Sequence, residues 1–309
     1  MRENIPVIRL RNKSGDLVVR DGVILCFFMR RSHKEVAPAV WRALRTYLRA
    51  IPPQSLNWYG SDDGDWLPLD DKGWEVIRKQ ILERPWGAMW HVDLAEDPGE
   101  AGGYFFNYQG RQLEDPLFSR DEGATTAVSF TFPTEYLLEH GPTHLRALAL
   151  ELARELPFSF GYASLAFVSH QGSWFSALAL FEFLERYPGF DLPRLGDTSE
   201  LIGTRARGAY WLTFLGQPLL GQLGGSEGVR HALSFPEVSL QPLEGERLLV
   251  SLGEWPEAID TTKEHHLPQY LALAHLLEPF LYEPRANGFR PDRDNLRRWV
   301  RHLTKSREL

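Results

Sequence analysis

GAYWLTFLGQPLLGQLGG (residues 208–225) opens as an apolar strand and closes in a run of glycines. Gly216 and Gly221 are separated by four residues, the glycine spacing of a phosphate-cradling loop. That loop needs a Lys and then a Ser or Thr directly after the second glycine, to reach the phosphates and hold Mg²⁺. Here those places hold Gln222 and Leu223, and Pro218 removes a backbone donor from the loop. A nucleotide site is therefore excluded. The stretch reads instead as a chain leaving a strand and re-entering a helix, with Gly216, Gly221, Gly224 and Gly225 expected to supply positive φ, as Gly141 does earlier.

Working outward, AVSFTFP-TEYLLEHG-PTHLRALALEL (127–152) has the same order of strand, glycine-bearing turn and helix before the next strand. VILCFFM (23–29) and its helix open in the same way. No regular period supports a solenoid. The helix over 32–51 starts at a capping-box pattern, Ser32 with Glu35, carries Val36, Val40, Leu44 and Leu48 on one face, and stops at Pro52-Pro53. Further helices are expected over 72–83, 143–157, 174–188 and 267–282, with strands over 21–31, 87–95, 104–110, 125–133 and 158–169 and a hairpin over 237–253. Strand pairs mixed with single helices, without steady βαβ alternation, give an α+β fold of mixed or antiparallel sheets with flanking helices. Its two strand–turn–helix–strand halves are loosely similar. The expected organisation is one domain over 1–284, divisible at 120/121, and a basic helical tail over 285–309.

The 309 residues include 43% hydrophobic and 24% charged side chains, as in ordinary globular proteins, with 10 Trp and 18 Phe to fill a core or a contact surface. The net charge of −7 is uneven: the tail carries eight Lys/Arg against three acids, which leaves the remainder at −12. Such a body is a poor nucleic-acid binder and suits a partner with a positive surface. No apolar run reaches the length of a membrane span, and MRENIPVIRLRNKSGD lacks an apolar signal core, so no export and a cytoplasmic location are expected. The single Cys26 lies in an apolar strand and reads as core.

Catalytic signatures fail one after another. Adjacent His265 and His266, beside Glu264 and near Asp260, point to different sides of a helix and do not share a metal readily. His91 and Asp93 alternate on one strand face without an identifiable third ligand. Ser169, His170 and Ser173 lack the G-x-S-x-G elbow. Carboxylate pairs among Asp121, Glu122, Glu135 and Glu139 carry no specificity. The strongest binding candidate is WYGSDDGDWLPLDDKGW (58–74), where carboxylates are framed by Trp58, Tyr59, Trp66 and Trp74. Its partner-binding candidates are Asp62, Asp63, Asp65, Trp66, Asp70 and Asp71. A calcium loop is the competing idea, but read from Asp63 it lacks the sixth-place Gly and twelfth-place Glu. The plain alternative is a solvated acidic loop whose tryptophans pack inward.

From about Asp21 to Tyr282 the chain resembles the type VI secretion immunity family associated with VRR-NUC-type nuclease effectors. The residues that carry the resemblance are YPGFDLPRLGD (187–197), the opening 208–225 stretch, SLGEWPEAID (251–260) and LPQYLALAHLLEPFLY (267–282), supported by SFTFPTEYLLEHGP and NYQGR. The resemblance implies a cytoplasmic, non-enzymatic protein that binds a cognate effector toxin, in the first place a nuclease, and blocks it. No cofactor, no metal and no small-molecule substrate are expected, and neither nucleic acid nor membrane as partner. It supplies no interface residues. Two other readings stay open: a hydrolase with a site assembled from His91, Asp93 and His170, and a scaffold or adaptor docking through its basic C-terminal helix.

Overall fold

Strand β2 (Leu17–Met29) is apolar on both sides, which only a central strand covered on both faces tolerates. Val23, Leu25, Phe27 and Met29 enter one core, while Ile24, Cys26 and Phe28 enter a second. In the computed structural model, which describes residues 5–84, 87–169, 180–263 and 267–284, β2 lies at the middle of a 12-stranded sheet.

The remaining strands are β1 (Arg9–Arg11), β3 (Trp58–Gly60), β4 (Trp66–Pro68), β5 (Met89–Ala95), β6 (Phe105–Arg111), β7 (Thr126–Pro133), β8 (Phe160–Ser169), β9 (Phe190–Asp191), β10 (Leu212–Leu215), β11 (Ser239–Leu243) and β12 (Arg247–Ser251). Their order is β11-β12-β10-β8-β2-β7-β6-β5-β3-β4, with β1 beside β2 and β9 beside β8. All pairs are antiparallel except β8–β9. The fold is thus α+β.

The first face of the sheet is covered by α1 (His33–Ala50), α2 (Asp71–Leu82), α3 (Thr134–His140) and α4 (Pro142–Glu155), whose Val36, Val40, Leu44, Ile77, Ile81, Leu137, Leu145 and Leu152 fill the first core. α5 (Leu180–Arg186) adds Leu180 to it. α6 (Leu195–Ser199), α7 (Leu219–Gln222), α8 (Gly225–Ala232) and α9 (Pro268–Leu277) cover the second face beside β2, β8, β10 and β12, with α6 also reaching the Arg111 end of β6 and the start of β7. Among the described residues no helix is long and apolar enough to cross a membrane.

Several expectations meet the structure closely. Helix α1 starts one residue after Ser32, whose backbone N–H donates to Glu35 at 2.8 Å. The Ser32 hydroxyl itself turns to accept the Leu113 N–H at 2.9 Å. Gly141, Gly224 and Gly225 have φ of 81°, 82° and 69°. Gly216 is a correction. Its backbone is ordinary, and a side chain is barred because a Cβ would sit 2.4 Å from the Phe158 carbonyl oxygen. Gly221 lies within α7, also without positive φ. The expected acidic loop before α2 is instead an edge hairpin, β3–β4, too short for alternation to reveal. The order strand–helix–helix–strand occurs at β7–α3–α4–β8 and at β10–α7–α8–β11. The 174–188 helix is described only from Leu180, and residues 170, 264–266 and 285–309 lie outside the described part.

A buried charge cluster fixes the segment around β9 to the sheet. Arg207 and Asp191 are 1% and 0% exposed and are ion-paired. Tyr162 donates to Asp191 at 2.6 Å, Arg207 donates to the Leu192 carbonyl at 2.8 Å, and the Tyr162 and Tyr210 rings stack at 4.0 Å. Burial pushes both phenols up and Asp191 holds the guanidinium charged. A buried pair survives only when its remaining donors are satisfied in this way.

Candidate functional site

On β5 and β6 the two-residue period separates two chemistries. Trp90, Val92, Leu94, Phe106 and Tyr108 point into the first core. The alternate positions are His91, Asp93, Asn107 and Gln109, joined on β7 by Ser129 and Thr131, and these face the half of the second face that the helices leave open. Asp93 stands directly opposite Asn107, and His91 opposite Gln109.

The result is a polar ladder. The His91 Nε2 lies 2.9 Å from Asp93 Oδ2, Asn107 donates its amide to Asp93 Oδ1, and Gln109 donates to the Asn107 side-chain oxygen at 3.1 Å. The hydrogen bond to Asp93 raises the His91 pKa above its ordinary 6.5. Ser129 and Thr131 are only 4% and 5% exposed, and no hydrogen bond to either hydroxyl is made among the described residues. These residues form the floor of a trough of about 710 Å³. Its walls are the β3–β4 hairpin on one side and the 193–197 segment on the other, with the 95–104 loop at one end. Six carboxylates line it, Asp62, Asp93, Glu96, Asp97, Glu100 and Asp197, against Arg194.

The underside of this floor is held by an aromatic stack. The His33 ring lies 3.8 Å from Trp90 at an interplanar angle of 9°, and its Nδ1 is 2.7 Å from the Tyr108 hydroxyl. Burial pushes the His33 pKa down to about 4, so the imidazole is neutral.

The acidic candidates divide. Asp62 and Trp66 line the trough; Asp62 also sits 3.3 Å from Arg84. Asp63 and Asp65 are exposed at the hairpin tip, where Gly64 turns the chain with φ 89°. Asp70 serves the fold, because its carboxylate accepts the Gly73 N–H at 2.9 Å as the N-cap of α2. Asp71 is the first residue of that helix, where its charge favours the positive helix end.

Other candidates disperse. Glu135 brackets Arg9 and Arg20, Asp121 accepts the Gly123 N–H at 2.8 Å, and Asp260 makes a two-point pair with Arg186 at 3.0 Å. Cys26 is buried and its thiol pushed up by desolvation. His91 and Asp93 do meet in the trough, whereas His170 lies outside the described residues. Among the described residues no group of three or more His, Cys, Asp or Glu is placed to hold a metal ion. The trough-lining Asn107, Gln109, Ser129 and Thr131 are not singled out by sequence reasoning. Their signal is the polar alternation in FFNYQGR and in SFT, which patterns a sheet face without naming its use.

Comparison with curated protein sequences finds no match. Among solved structures the fold is similar to the Pseudomonas aeruginosa T6SS protein PA0821, with a TM-score of 0.76 and 17% sequence identity, covering 96% of this chain and 88% of that one. Identity that low carries the architecture alone. The family model described as TsiV, type VI immunity for VRR-NUC, matches residues 39–302. The chain belongs to this family of type VI immunity proteins.

Proposed function

We propose that the protein neutralises a VRR-NUC effector by stoichiometric capture, laying its acidic hairpin and trough against the cationic surface with which the effector handles nucleic acid. Family membership supports an effector as partner. The observation that carries the location is the concentration of acid around one open sheet face: six lining carboxylates, with Asp63 and Asp65 projecting at the hairpin tip beside them. A surface that must grip phosphates is cationic, so an acidic counter-surface competes directly with substrate and speeds encounter. The protein makes and breaks no covalent bond in this reading and works in the cytoplasm, where the nucleic acid is.

The test is co-expression of a VRR-NUC effector with and without this protein. Wild type restores growth and co-purifies with the effector. The Asp63→Lys/Asp65→Lys variant associates about tenfold more slowly at low salt, and the difference shrinks as salt screens it. Unrelieved toxicity with no recoverable complex defeats the proposal. Unchanged association rates in the variant remove the hairpin from the interface.

A further inference from the structure

We propose that the trough is a receptor for one protruding arginine-bearing segment of the effector, with Asp93 as the carboxylate that takes the guanidinium. This rests on the capture reading above and adds the chemistry of the contact.

The ladder leaves Asp93 prepared for a bidentate cation. His91 occupies one site on Oδ2 and Asn107 one on Oδ1, which fixes the carboxylate plane. Each oxygen has a further lone pair. Two parallel N–H donors from a guanidinium match that geometry, which a point-charge ammonium does not. The partners Asp93 has in the fold are an imidazole and an amide, and neither carries a fixed positive charge. Asp62 and Asp197, by contrast, already face Arg84 at 3.3 Å and Arg194 at 3.7 Å.

Two further observations point to an occupant. Ser129 and Thr131 are more than nine-tenths buried at the floor, with hydroxyls that have no hydrogen-bond partner among the described residues. Both hydroxyls stay open to the trough and, on the strand beyond β6 from Asp93, offer acceptors to the rest of the same inserted segment. The trough also has the volume for a side chain and its flanking backbone, about 710 Å³. On the helix-covered half of the same face many of the equivalent positions are apolar, among them Phe28, Phe160, Leu248 and Val250. The open half is thus patterned for a wet, charged guest.

The probe is a hexa-arginine peptide, titrated calorimetrically into the full-length protein and compared with hexa-lysine and hexa-glutamate; Trp66, on the trough wall, gives a fluorescence readout. Hexa-arginine binds, hexa-lysine binds more weakly and hexa-glutamate does not. The near-isosteric Asp93→Asn variant weakens hexa-arginine binding at least tenfold, and a Glu237→Gln control, at an exposed acid away from the trough, changes it less than twofold. Gln109→Arg, which plants a competing guanidinium beside Asp93 and places no strain on the core, weakens it to the same degree. Equal binding by wild type and both trough variants overturns the proposal. So does a gain of peptide binding on reversing Arg297, Arg298 and Arg301, which would make the protein's own tail the occupant. Capture of the effector is read separately. Undiminished capture by Asp93→Asn discards the receptor and keeps the immunity reading, whereas Asp93-dependent peptide binding without any effector capture keeps the receptor and discards that reading.

Discussion

The stack beneath the trough makes the protein sensitive to acid in a calculable way. His33 is 4% exposed and its pKa lies at about 4, against 6.5 for a free imidazole. Between those values the unfolded chain binds the proton and the folded chain does not. Stability fully present above pH 6.5 is therefore lost as pH falls toward 4. At 1.36 kcal/mol per pKa unit the whole effect is about 3 kcal/mol, of which at most about 2 kcal/mol has been lost by pH 5. The perturbation is His33→Gln, which removes the titration, and the assay is urea unfolding of both proteins at pH 7.5 and pH 5. Stopping at pH 5 keeps clear of carboxylates such as Asp260, which Arg186 holds well below the usual range. His91 titrates with the opposite sign, because its folded pKa is raised, but it does so equally in both proteins. Wild type should lose about 2 kcal/mol more than His33→Gln over this interval. Slopes that agree within about 0.5 kcal/mol would refute the assignment of a buried neutral imidazole.

Three further outcomes follow from the geometry. Arg207→Met leaves Asp191 charged and buried without its counter-ion and should destabilise the fold by about 3–5 kcal/mol, read as a fall in urea midpoint. Asp70→Ala removes the cap on Gly73 and should cost about 1 kcal/mol in thermal unfolding while leaving the effector association rate unchanged, since this carboxylate serves the helix. Cys26 should resist iodoacetamide in the native protein and react once unfolded, as mass spectrometry of the alkylated fractions will report, because the thiol is buried and its pKa raised.

How far the sequence alone leads depends on the length scale of the pattern. Helix α1 is legible almost to the residue, because Ser32, Glu35, the Val36–Leu48 face and Pro52 are all local signals. Strand β2 is legible as buried, yet its neighbours are not: nothing local to VILCFFM says that β7 and β8 flank it. The β3–β4 hairpin is illegible because three-residue strands are shorter than one period of alternation plus its confirmation. Asp70 falls among the binding carboxylates by sequence, since an N-cap and a surface acid look alike until the Gly73 N–H is seen to point at one of them. The trough itself is a tertiary product. His91 and Asp93 can be placed on one face of a strand, but Asn107, Gln109, Ser129 and Thr131 join them only through the register of three strands.

That register has a temporal side. The centre of the sheet pairs Val19 with Ser169, so β2 waits for a partner synthesised 150 residues later. At ribosomal speeds of about 5–20 residues per second, the gap is roughly 10–30 s, and non-local strand pairing is slow besides. The central sheet therefore cannot close on the ribosome until more than half of the chain has been made.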